Sequence, residues 1–262
     1  MTNESNFIPS VNSALRVLEF LSNEQTQSCS LSEISKALSI NKSTCLRILK
    51  TMQRKEFVNY HDETKRYKLG SYLISLGTRA KEVNDYISVA ISHLSTICHE
   101  IGQTVVLAKQ TDPYNMIYIG KEEPNQKIRL TVATGENFPI IGGATGKAYL
   151  AHLPDEKIKQ IIDEFTVDGK LPKYTENTIT DPSIFLDSLK SIVQEGISVT
   201  DSEHTLGIYA ISCPIFNSRN EVVLSIGVFI QSTASQFLDI QSIKKSIKHH
   251  AKTISNKISR YI

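Results

Sequence analysis

Between residues 30 and 58 the apolar positions recur every three or four residues in two short runs, and just beyond them the period shortens to two. Ser30 followed by Glu33 forms the S-x-x-E pattern of a capping box, which marks a helix start. Leu31, Ile34, Ala37 and Leu38 then fall on one helical stripe, and Ser39, Ile40 and Asn41 make a turn. A second helix is predicted over residues 42–55, capped by Asn41 or Ser43, whose short side-chain oxygens suit the orphan N–H groups at a helix start. Its apolar side holds Cys45, Leu46, Ile48, Leu49 and Met52. Ser43, Arg47, Lys50 and Arg54 share the opposite side at i, i+4, i+7 and i+11. Residues 57–60 and 66–69 alternate as strands should, with 61–65 as the turn of a hairpin.

Two short helices joined by a tight turn, the second basic on its outward side, have the layout of a helix-turn-helix DNA reader, and the hairpin would be its wing. A recognition helix needs an apolar back to pack on its domain and a front of donors for phosphates and base edges. Asn41, Lys42, Ser43 and Thr44 lie at its start. Arg47 could bond a guanine bidentately, and Lys50 follows on the same face. Ser32 on the preceding helix, and Lys65 and Arg66 near the hairpin tip, complete the candidate DNA contacts. A basic stripe alone also suits a helix face that is merely solvated; the adjoining hairpin favours the winged reader.

After Gly70 the run SYLISLGTRAKEVNDY reads as a helix, a stiff connection able to pass a rotation between domains. The pattern then predicts a helix over 86–101 ended by Gly102, strands at 104–109, 116–121 and 128–134, and helices at 143–153 and 155–165. A helix opened by Asp181-Pro-Ser183 runs to Glu195 and ends at Gly196, and strands follow at 197–200, 208–216 and 222–230. The last helix, 240–261, keeps Ile243, Ile247, Ala251, Ile254 and Ile258 on one side. Strands flanked by helices make the class α+β. The predicted division is a winged helix-turn-helix domain at 8–70, a helical linker at 71–84 and a larger domain at 85–262.

Composition sharpens this picture. A chain of 262 residues has room for two domains, and the larger can bury a substantial core. Net charge is +2, but residues 1–82 carry 12 Lys/Arg against 8 Asp/Glu, a basic first domain beside a near-neutral second. Neither an apolar run long enough to span a bilayer nor a signal-peptide start is present, so a soluble cytoplasmic protein is expected. Cys29, Cys45, Cys98 and Cys213 are scattered without C-x-x-C spacing, which suggests neither zinc finger nor disulfide framework. Cys45 reads as core; Cys213 reads as packing or as a pocket position. His249 and His250 are adjacent and face different ways on a helix, a poor arrangement for a shared metal. No cofactor is expected.

The run GGATGKA (142–148) resembles a phosphate loop, but the glycine that spacing requires is replaced by Ile141, and Ala148 stands where a magnesium-binding hydroxyl would be. The better reading is a glycine-rich loop entering a helix N-terminus, where backbone N–H groups can hold an anionic group such as a carboxylate. A tight turn packed on the sheet is the plainer alternative.

Three blocks resemble the IclR-type transcriptional regulators: SVNSALRVLEFLS (10–22); LSEISKALSINKSTCLRILKTM with RYKLGSYLISLG; and, far downstream, ENFPIIGGATGKAYLAHLP (136–154) with EGISVTDSEHTLGIYAISCPIFNSRNEVVLSIGV (195–228). The resemblance spans roughly residues 8–260. It implies an opening helix at 10–22, a GAF-like effector-binding domain with a mixed antiparallel sheet, and a dimer contact involving the linker and winged domain. It also implies an effector pocket lined by Ala144, Thr145, Thr200, Asp201, Ile208, Ala210, Gly227 and Phe229. Asp201, Glu203 and Gly207 match the family's D-x-E-x-x-x-G motif. Gly227 and Phe229 depart from the hydroxyl residues of small-acid binders, which would make that wall less polar and admit an aromatic or longer acid.

The leading expectation is therefore a ligand-responsive DNA-binding regulator, a repressor of metabolic genes. As a homodimer or dimer of dimers, it would hold two recognition helices on a pseudo-palindromic operator and sense a small organic acid or aromatic carboxylate. The alternatives are an enzyme, or a ligand-free dimerisation module, fused to a DNA-binding head. No G-x-S-x-G elbow supports an enzyme. Asp201 and Glu203, two apart on a predicted strand, would point to one face and could hold a metal or act as acid and base, or else orient the loop to Gly207.

Overall fold

The computed structural model describes residues 8–127 and 129–262, the side chains of Glu24 and Lys81 aside, and they form two compact units divided between Val83 and Asn84. The first unit opens with α1 (Pro9–Ser22), with proline in its first turn, where a missing N–H costs nothing. A two-residue strand, β1 (Cys29–Ser30), leads into α2 (Leu31–Leu38), and α3 (Lys42–Gln53) follows. Strands β2 (Val58–His61) and β3 (Arg66–Leu69) form the hairpin, and β1 adds to its free edge through Cys29↔Tyr67. The capping box is complete: Ser30 Oγ accepts from Glu33 N, and Glu33 Oε2 accepts from Ser30 N at 2.6 Å. Ser39 ends α2 in the left-handed region at φ 54°, and Ile40 N donates back to Ser35 O. Val17, Leu21, Ile34, Cys45, Leu49, Met52, Val58 and Tyr67 make the core. Ala37, expected in the buried stripe, is exposed, because the stripe of this two-turn helix narrows to Ile34. Helix α4 (Tyr72–Glu82) ends this unit and buries none of its described side chains.

The second unit is built on six antiparallel strands in the order β6-β5-β4-β9-β8-β7. These are β4 (Thr104–Gln110), β5 (Asn115–Glu122), β6 (Asn137–Pro139), β7 (Ser198–Asp201), β8 (Ile208–Phe216) and β9 (Val222–Gln231). Both faces are covered, so β8 and β9 read as nearly continuous apolar runs. Val105, Leu107, Ile211, Ile226 and Val228 face α5 (Asp85–Ser92), α6 (Leu94–Ile101) and α11 (Ile240–Ile258). Val106, Ala108, Ala210 and Phe229 face α7 (Gly143–Leu150), α8 (Asp155–Phe165) and α9 (Pro182–Glu195). A single-turn α10 (Ser232–Ser235) follows β9. The predicted stripe of α11, from Ile243 to Ile258, is buried throughout, and each isoleucine contributes about 1.5–3 kcal/mol of burial. Among the described residues, no helix is long and apolar enough to cross a membrane.

Two predicted elements differ. The helix expected over 86–101 is divided at His93, which caps one segment and opens the next. The strand expected at 128–134 does not form over 129–134: Leu130 O accepts from the Thr104 hydroxyl at 2.6 Å instead of joining a ladder, and Ile128 lies outside the described residues.

Candidate nucleic-acid interface and ligand cavity

The Asn41 side chain caps α3, accepting from both Ser43 N at 2.9 Å and Ser43 Oγ at 2.8 Å. This fixes the helix start with Lys42, Ser43 and Thr44 exposed beside it, and Arg47, Lys50 and Arg54 follow along the same side. Lys42, Arg47, Lys50, Arg54 and Lys65 form no ion pair with any described residue, so their charge is open to an external anion. Lys65 sits at the hairpin tip in the left-handed region, φ 54°, and is exposed. Ser32 is exposed on α2.

Arg66 behaves differently from its expected role. Its guanidinium donates to both oxygens of Glu33 at 3.3 Å, and its Nε donates to Ser28 O at 3.2 Å. It therefore ties the wing to the α2 start, because β3 pairs with β1 and brings that side chain inward. Arg47 and Thr44 also border an open groove of about 560 Å³ between α1 and α3, lined by Val11, Leu15, Ile48 and Met52. That concavity is large but apolar, and it carries none of the ligand-holding polarity found in the second unit.

There, a cavity of about 70 Å³ lies between α7 and the sheet. Of the expected effector residues, Ala144, Thr145, Thr200, Ile208, Ala210 and Phe229 line it. Asp201 and Gly227 do not. Asp201 points to the surface, where Oδ1 accepts from Ser232 Oγ at 2.6 Å and Ser202 Oγ at 3.0 Å. Gly227 lies beneath the bonded hydroxyls of Thr145 and Ser212, 3.0 Å apart, and a Cβ there would meet Ser212 Oγ at 2.7 Å and Thr145 Oγ1 at 2.8 Å. Gly142 and Gly143, from the glycine-rich loop read as an anion site, also line it, whereas sequence reasoning missed Tyr118, Val132, Glu136, Phe138, His204 and Thr205. Tyr118 stacks on Phe138 at 4.4 Å and meets the edge of Phe229 at 6.1 Å, so one wall is aromatic.

The loop from Ser202 to Gly207 closes the cavity at the start of α7. The expected shared face for Asp201 and Glu203 is absent. Ser202 turns the chain through φ 56°, so Asp201 faces Ser232 while Glu203 enters the interior and pairs with Lys147. Lys147, 3% exposed, lies 5.2 Å from the Phe185 ring centre. It is thus committed to Glu203 and offers no free ammonium to a phosphate. His204 lies on the α7 start: a Cβ at Gly142 would sit 2.7 Å from its Cδ2 and 3.0 Å from its Nε2. Tyr174 braces the imidazole at 4.7 Å. Burial lowers the proton affinity of His204, and the Glu136 carboxylate pulls it partly back up. All four cysteines are free and buried; Cys213 packs against the α11 side, and burial pushes its thiol up to about 12. Among the described residues no cluster of ligating side chains could hold a metal.

The profile of the bacterial transcriptional regulator IclR C-terminal domain matches residues 79–256, and that of the IclR helix-turn-helix domain matches 10–62. The chain belongs to the IclR family of transcriptional regulators. It is 24% identical over 244 residues to the DNA-binding transcriptional repressor YiaJ of Escherichia coli, covering 93% of this chain and 86% of that one. The crystal structure of an IclR transcriptional regulator from Alicyclobacillus acidocaldarius superposes with a TM-score of 0.89 at 35% identity, covering 95% of this chain and 98% of that one. An IclR homologue from Microbacterium hydrocarbonoxydans, solved with 4-hydroxybenzoate, shares the fold at a TM-score of 0.80 and 17% identity, covering 97% of this chain and 100% of that one. As an IclR regulator the protein binds DNA through its helix-turn-helix unit. The IclR signature loop and the D-x-E-x-x-x-G loop meet at the cavity, which explains why the motif carries His204, the residue directly after the Glu203 that pairs with Lys147 of α7, to a place that period and propensity alone do not mark.

Proposed function

We propose that this IclR regulator is a homodimeric repressor of metabolic genes whose operator affinity is set by a small organic acid or aromatic carboxylate held beside α7. The observation that carries this reading is the pairing, in one chain, of an α3 face with unpaired cations and a polar-ended aromatic cavity at an uncapped helix start. Arg47 reads a base edge, with Asn41, Lys42, Ser43 and Thr44 at the groove. Lys50, Lys65 and Ser32 contact backbone phosphates. Repression follows the known action of the similar YiaJ. Dimer formation is supported by apolar side chains left in solvent on α1 and α4, namely Val11, Leu15, Ile74 and Leu76. A carboxylate ligand is supported by the α7 N-terminus, by the aromatic wall, and by 4-hydroxybenzoate in a homologue of the same fold. The ligand acts by differential affinity for two arrangements of the dimer, not by any catalytic step. The assay is fluorescence anisotropy on a duplex from the intergenic region beside the protein's own gene, titrated with salt and compared with a scrambled duplex. Selective binding with a steep salt slope supports the reading. Equal, weak binding to both duplexes, with or without the carboxylates below, would overturn it.

A further inference from the structure

Resting on the reading of this cavity as the effector site, we propose that His204 is its anion-recognising residue and that the ligand is an aromatic monocarboxylate. The ring would lie along Tyr118, Phe138 and Phe229, and the carboxylate between the imidazole, the Thr200 hydroxyl and the first N–H groups of α7.

Four observations converge. The α7 start has Gly142 as its cap residue and no side chain capping it, so its amides are available to an anion. The Thr200 hydroxyl lines the same cavity, its residue is 4% exposed, and it bonds to no described group. That hydroxyl is therefore available to a ligand oxygen. One wall of the cavity is aromatic, a surface on which a ring can stack once space opens. Finally, His204 and the rim residue Glu136 are the cavity's ionisable groups besides the Tyr118 phenol, and Glu136 is exposed and accepts from Ala133 N at 3.1 Å. The anion's cationic partner must then be His204.

The groups facing His204 are the Glu136 carboxylate from the β5–β6 connection, the Tyr174 ring, the Thr205 hydroxyl at 3.4 Å from Nδ1, and Glu203 in its own loop, which is neutralised by Lys147 of α7. Burial keeps the free imidazole neutral near pH 7, so a ligand carboxylate beside it draws in a proton. A cavity of about 70 Å³ holds a few waters and no ring. The 204–207 part of the loop must therefore swing about Gly207, in the left-handed region at φ 82°, while Glu203 stays anchored to Lys147 and through its carbonyl to the Thr178 hydroxyl at 2.6 Å.

The test is calorimetry on the full chain with benzoate, 4-hydroxybenzoate and the uncharged benzamide, at about pH 7.5 in buffers of different ionisation enthalpy. The carboxylates should bind about tenfold or more tighter than the amide, with uptake of up to one proton. His204→Gln should weaken carboxylate binding about tenfold and abolish the uptake, with its melting temperature showing that it is folded. Ala210→Phe fills the cavity. If Ala210→Phe abolishes binding while His204→Gln keeps affinity and proton uptake, the cavity reading stands and the role of His204 is overturned. If both variants bind like the natural chain, the cavity itself is wrong. If none of the carboxylates binds the natural chain, the ligand class is overturned.

Discussion

Removing Glu203 should damage the second unit more than removing its partner Lys147. The Lys147 side chain is 4% exposed and Glu203 16%, so the carboxylate lies nearer to water. Glu203→Gln strands an ammonium whose remaining neighbour is the Phe185 ring, 5.2 Å away. Losing one partner of a buried pair costs about 3–5 kcal/mol. Lys147→Met leaves a carboxylate that water can reach and fills the space with an apolar chain, for a cost of about 1–3 kcal/mol. A difference of about 2 kcal/mol is about 4–8 °C in melting temperature for a unit of this size. The double variant should lie above Glu203→Gln alone. Thermal unfolding of both singles and the double measures all of this. Equal losses at both sites, or a double variant no more stable than Glu203→Gln, would refute the argument that burial of the lysine sets the cost.

Ser30→Ala removes the reciprocal bonds at the α2 start and should cost about 1 kcal/mol, lowering the melting point of the first unit by about 4–8 °C; no shift would mean that the cap is dispensable. Gly146→Ala would push a Cβ to 2.2 Å from Ile140 O, a backbone atom that cannot yield, so a loss of about 3 kcal/mol or failure to accumulate as folded protein is expected. Glu123 accepts from Lys121 at 2.7 Å and Arg129 at 2.5 Å, side-chain hydrogen bonds that hold its carboxyl down at about 2 against an ordinary 4.5. Because that value is depressed, its stabilisation is present above about pH 4.5 and is lost as pH falls toward 2; Glu123→Gln should flatten this part of the acid-unfolding curve, and an unchanged curve would exclude the network. On DNA, Arg47→Ala should cost about 1–3 kcal/mol at the operator and relax specificity, whereas Lys65→Ala should weaken all sequences alike and lower the salt slope by about 0.9; operator binding by Arg47→Ala equal to the natural chain would show that the reading face is misassigned.

Legibility followed whether a signal was local. Asp181 and Gly196 bracket α9 because a cap oxygen and a left-handed glycine act within one turn, and the structure keeps both limits. The same holds for Ser30 with Glu33 and for the Ile243–Ile258 stripe. The division of the helix at His93 has no local sign: its backbone stays near-helical at φ −83°, ψ −20°, and the ring meets Lys257 from α11 at 3.0 Å, a contact 164 residues away. Residues 129–132 alternate like a strand, yet distant partners, Thr104 for Leu130 O and Glu123 for Arg129 and Thr131, satisfy them singly. Strand β1 exists through its pairing with Tyr67 and Arg66, and two residues carry no period to read. Arg66 looked like a free cation for the same reason, since the Glu33 that claims it lies 33 positions upstream.

The cavity shows where motif position and side-chain direction part company. The motifs located β7, β8, β9 and the α7 loop, but alternation decides the lining, so Thr200 faces in and Asp201 out. On β9, residues 227 and 229 share a face, yet Phe229 alone of the two reaches the cavity, because the Thr145–Ser212 hydroxyl pair roofs Gly227. A serine at 227 would force its Cβ against both of those oxygens, so glycine there answers to the pair and not to a ligand. The hydroxyls absent from β9 are thus present one layer away, on α7 and β8, but spent on each other. Thr200 is left with a free oxygen beside an aromatic wall. Discrimination in such a site must then rest on ring shape and on one charged contact rather than on a ring of hydroxyls, and that requirement sends the anion to His204.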